Sequence, residues 1–86
     1  MLPYLGEMAW TGLTEYRFID PAEMTPGRAA QIRAWRVGQE CTWRGVAYEA
    51  SAAWGSGFGS NQLYGRELCA AAAVLLGEDP DADPWN

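Results

Sequence analysis

Two stretches of this chain carry residues whose types and spacing could do chemistry. Gly55-Ser56-Gly57-Phe58-Gly59-Ser60 stands before a helical segment, where a glycine-rich loop can offer backbone N–H groups to a phosphate. Its spacing is G-x-G-x-G, with no third glycine at the dinucleotide-fingerprint position and no Lys-Ser/Thr pair, so it reads as a connector. Phe58 is its one bulky apolar member and is a candidate anchor for a partner. The second stretch is Glu78-Asp79-Pro80-Asp81-Ala82-Asp83, whose alternating carboxylates resemble the start of a calcium loop. It lacks the glycine at the sixth position and the glutamate at the twelfth, so no metal is expected there.

Catalysis finds few candidates. The chain has no His, which removes the usual base for a Ser or Cys nucleophile and the commonest metal ligand. Cys41 and Cys69 are too few for a zinc site and are expected to be two buried free thiols. Glu67 falls inside the apolar arc of its helix and is expected to sit at the arc's edge, paired with an Arg; burial with a raised pKa is the alternative. No cofactor is expected, and the chain is expected not to be an enzyme.

Charge then narrows the partner. All six basic residues are Arg, against eleven acids, for a net charge of −5. Nucleic acid as a direct ligand is disfavoured, because phosphate binding rests on a positive surface. The acids are uneven: residues 1–77 are almost neutral, and the last nine residues hold Glu78, Asp79, Asp81 and Asp83. These carboxylates suit an Arg/Lys-rich protein surface, with charge steering the encounter.

The elements that must position these groups read as ββ-α-ββ-α. Tyr4–Ile19 reads as a hairpin turning at Thr11-Gly12, and Thr25-Pro26 opens a helix to about Arg36. Gln39–Ser51, with Arg44-Gly45 as its turn, reads as a second hairpin; a helix over 46–54, favoured by its alanines, is the competing reading. Ser60–Leu76 is the long apolar helix, capped by Ser60 and ended by Gly77. Its apolar run is far short of the roughly 20 residues that span a bilayer, so it reads as a core helix. The expected architecture is a small α+β domain over residues 1–77, with an antiparallel sheet packed on the C-terminal helix. Residues 78–86 are expected to form a flexible acidic tail. The N-terminal ten residues have no signal-peptide pattern, which points to a cytoplasmic setting.

Gly38-Gln-Glu-Cys-Thr-Trp43-Arg-Gly45-Val-Ala-Tyr48-Glu-Ala50 resembles the G-x-x-V-x-Y-x-G-x-x-Y-x-A hairpin of small chitin-binding modules. Cys41 stands where Val is usual, and Ala52-Ala53 replace the aromatic pair expected to line the sugar site. The resemblance implies a flat carbohydrate-binding face of Trp43, Tyr48 and Trp54. At the level of class alone, a short, acidic, His-free, aromatic-rich chain with a charged tail looks like the small phage-borne inhibitors of host defence, the anti-CRISPR proteins among them. That likeness implies a stoichiometric inhibitor of a basic, nucleic-acid-handling protein, with carboxylates standing where phosphates would lie. The candidate contacts are Asp79, Asp81, Asp83 and Trp85 in the tail, and Trp54 and Phe58 at the loop. Self-assembly of a structural phage or bacterial protein, through a second apolar stripe on the Pro26–Arg36 helix, is a third reading.

Overall fold

A computed structural model describes residues 23–55 and 59–86 of the 86-residue chain. The described residues form three α-helices, α1 (Pro26–Arg33), α2 (Trp43–Trp54) and α3 (Gln62–Leu75), and contain no strand. The expected α+β sandwich is therefore overturned for the described part of the chain. The first expected hairpin, residues 4–19, lies outside the described residues.

α1 starts as its sequence dictates. The Thr25 hydroxyl accepts from the Arg28 N–H at 3.2 Å, and Pro26 occupies a first-turn position where its missing N–H costs nothing. The helix widens at its end into a π turn over Ala34–Gly38, and Glu40 leaves it in the left-handed region at φ 56°. The Cys41 N–H returns to the Trp35 carbonyl at 2.9 Å, which turns the chain toward α2.

α2 replaces the second expected hairpin. Thr42 is its N-cap, accepting from the Gly45 N–H at 3.0 Å, so the Arg44-Gly45 pair lies within a first helical turn. The apolar residues recur with helical spacing: Val46, Ala47 and Ala50 are fully buried, and Trp43 and Trp54 pack against the same core. Gly55, in the left-handed region at φ 68°, ends the helix.

α3 is capped by Asn61, one residue after the expected Ser60; its Oδ1 accepts from the Tyr64 N–H at 2.8 Å. Gly77 at φ 77° closes it, with Gly77 N–H on Val74 O and Glu78 N–H on Ala73 O, the paired bonds of a Schellman motif. α3 packs against both α1 and α2. The α2 crossing is close because Gly65 lies against the Trp43 backbone carbonyl, leaving no room for a β-carbon. Ala29 and Ile32 from α1, Trp35 from the π turn, the α2 stripe, and Tyr64, Leu68, Cys69, Ala72 and Ala73 from α3 form one core. Ile32 and Trp35, which form the second apolar stripe of the expected Pro26–Arg36 helix, thus face inward. No helix of the described residues is long and apolar enough to cross a membrane.

Candidate functional site

The last nine residues are tied to the core by their penultimate side chain. Trp85 is 1% exposed and belongs to the same apolar cluster as the helices. A buried indole needs an acceptor for its N–H, and Trp85 Nε1 donates to Glu78 Oε1 at 2.8 Å. The other Glu78 oxygen accepts from Arg33 Nε at 2.9 Å, linking the segment to α1. The Trp85 carbonyl in turn accepts from Trp43 Nε1 at 3.1 Å and from Arg36 Nε at 3.3 Å. Three elements of the fold thereby hold one residue. The Arg33 hydrogen bond first, and the Trp85 bond second, hold the Glu78 carboxyl below its ordinary pKa of 4.5.

Between Glu78 and Trp85 the chain makes a turn that displays Asp79, Asp81 and Asp83, all exposed. The Asp81 N–H donates to Asp79 Oδ1 at 2.9 Å, a local turn that ties the Asp79 carboxylate to the backbone of Asp81. Of the sequence-derived contacts, these three are brought together on the surface. Trp85 faces inward and positions them from below.

Trp54 sits elsewhere. It closes the far end of α2 from Trp43, about 16 Å along the axis at 1.5 Å per residue. Half-buried, its ring lies 5.2 Å from that of Trp35 at a 47° tilt, with the Arg28 guanidinium 5.8 Å from its centroid. Phe58 lies outside the described residues. The flat aromatic face implied by the chitin-module resemblance loses its basis, since Trp43 and Tyr48 stand on a helix where that family has a hairpin.

The thiols are both free, Cys69 buried and Cys41 half-buried beside Gly45. Burial pushes the Cys69 thiol up to about 11, against a smaller opposing pull from Arg36. Glu67 is exposed on α3, so the buried-carboxylate reading does not hold. Among the described residues, no group of three His, Cys, Asp or Glu side chains could hold a metal ion.

Sequence reasoning missed the roles of Glu78, Trp43 and Arg36 as supports for the turn. The one available signal was the pairing of an acid just past the Gly77 cap with an indole seven residues on. No family model matches the chain, and comparisons with curated proteins and with solved structures give no match.

Proposed function

We propose that the chain acts by binding another protein, presenting Asp79, Asp81 and Asp83 to a basic, nucleic-acid-handling partner. Anti-CRISPR-type stoichiometric inhibition in the cytoplasm is its concrete form. The observation that carries the reading is the burial of Trp85 beneath an exposed acidic turn. Carboxylates on an anchored turn lose less freedom on docking than the same groups on a loose tail, so more of their attraction remains as affinity. Glu78, already paired with Arg33, belongs to the anchor and not to the contact. Trp54 would serve only as a second contact at the opposite end of α2.

The test is capture from a bacterial lysate by the wild-type chain and by the triple variant Asp79→Asn, Asp81→Asn, Asp83→Asn, at low and moderate salt. Asparagine keeps the side-chain oxygen that Asp79 uses within the turn, so the fold is expected to survive, as circular dichroism would check. Capture of a nucleic-acid-binding protein that is lost in the variant and weakened by salt supports the reading. Equal capture by the folded variant would refute it.

A further inference from the structure

We propose that the recess beside Trp43 is a binding site for a small phosphate-bearing molecule. Arg36, Thr42, Trp43, Arg44, Gln62 and Asn86 line an open recess of about 380 Å³, within the size range of ligand pockets. On a chain of net charge −5, two of the six arginines, Arg36 and Arg44, line this recess, and Arg66 lies beside its Trp43 wall. The Arg36 and Arg66 guanidiniums lie 5.9 and 5.4 Å from the Trp43 ring centroid, and Arg66 is one helical turn beyond Gln62. Arg44 lines the recess itself and is exposed.

The donors are free to receive a ligand. Arg36 uses Nε on the Trp85 carbonyl and Nη1 on the Cys41 carbonyl, which fixes the plane of its guanidinium and leaves its remaining N–H groups unpaired. Arg44 and Arg66 have no hydrogen bond or ion pair among the described residues, where the only ion pair joins Arg33 to Glu78. Both the Arg36 and the Arg66 guanidinium lie within cation–π range of the Trp43 ring, an attraction that uses none of their N–H donors. The backbone N–H groups of Trp43 and Arg44, opening α2 at the same recess, add to the positive potential there.

The donor set decides between oxyanions. A carboxylate offers two oxygens in a plane and a single charge. The guanidiniums of Arg36, from the π turn, and Arg44, from α2, together with the N–H groups that open α2, suit a tetrahedral dianion with three free oxygens. The recess is also larger than one phosphate group, and the Trp43 and Thr42 side chains leave space for an organic substituent.

The experiment is titration of the full chain, followed by the Trp43 and Arg44 amide signals in NMR. The probes are inorganic phosphate, pyrophosphate, adenosine monophosphate, adenosine and citrate. The expected result is saturable shifts confined to residues around the recess with the phosphate-bearing probes. Tighter binding of the nucleotide than of pyrophosphate would assign an organic phosphate as the source, and the reverse an inorganic one. The double variant Arg44→Gln, Arg66→Gln changes two exposed side chains, and its folding is checked by thermal melt. It is expected to weaken phosphate binding at least tenfold. A single Arg44→Gln exchange is the fallback and is expected to weaken it severalfold. The proposal is overturned if no probe saturates at millimolar concentration, if adenosine or citrate binds as well as the phosphates, or if a folded variant binds unchanged.

Discussion

Replacing Trp85 by Ala tests whether the acidic segment is part of the fold. The indole is 1% exposed, so truncation removes a full set of core contacts and leaves a cavity. Buried aromatic-to-alanine changes of this kind cost about 3–5 kcal/mol. The bonds from Trp43 and Arg36 reach the backbone carbonyl and survive the substitution, whereas Glu78 loses its indole donor. A chain of 86 residues has a stability of roughly 4–13 kcal/mol, so the variant loses a large part of it. At about 4–8 °C per kcal/mol, Tm falls by roughly 12–40 °C. Trp85→Phe separates packing from hydrogen bonding: most of the volume stays, the N–H to Glu78 goes, and the cost is about 1–2 kcal/mol. The assay is thermal unfolding followed by far-UV circular dichroism. A Tm for Trp85→Ala within about 2 °C of wild type would refute the reasoning, because a side chain packed in the core cannot be removed without cost.

Gly65→Ala forces a β-carbon into the Trp43 carbonyl and must separate α3 from α2, at a cost of about 1–3 kcal/mol, whereas Gly27→Ala, in open space on α1, is expected to be neutral or to stabilise by up to about 1 kcal/mol; urea titration of both compares them. Because the Glu78 pKa is lowered in the folded state, its stabilising contribution is complete above pH 4.5 and lost as pH falls through the folded value. The stability gap between wild type and Glu78→Gln should therefore shrink on acidification below 4.5, and denaturant midpoints at pH 6 and pH 3 that differ by the same amount would contradict this. Alkylation at pH 8 followed by peptide mass analysis should modify half-exposed Cys41 and spare Cys69 until the chain is unfolded, since burial withholds both access and the thiolate from Cys69.

Some of this was legible in the sequence, for identifiable reasons. α3 could be read because a long apolar run ends in a glycine at a position that demands positive φ, and α1 because Thr25-Pro26 is a strong start signal. α2 was misread because Trp43, Val46 and Tyr48 favour strands in isolation, and Arg44-Gly45 resembles a hairpin turn. Tertiary context won: the 43-46-47-50-54 spacing places one face on α3 and the π turn, and the Thr42 cap turns the glycine into a first-turn residue. Glu67 falls inside the apolar arc of the wheel yet is exposed, because α3 is apolar beyond its packed face; Leu63 and Val74 on the same side as Glu67 are 62% and 64% exposed. Around Trp85 the acids suggested a solvated tail, and local sequence carries no sign that a distant Trp43 and Arg36 supply donors to its carbonyl.

A buried anchor holds the acidic turn, and hydrogen exchange of the indole N–H groups measures that directly. The Trp85 indole is buried and its Nε1–H is bonded to Glu78, while Trp43 Nε1–H is bonded to the Trp85 carbonyl, so both should exchange much more slowly than a free indole, and Trp85 only when the segment lifts off the core. Exchange of the Trp85 indole at the rate of a free tryptophan, while the core amides of α3 stay protected, would show the segment detached from the fold and would contradict the account.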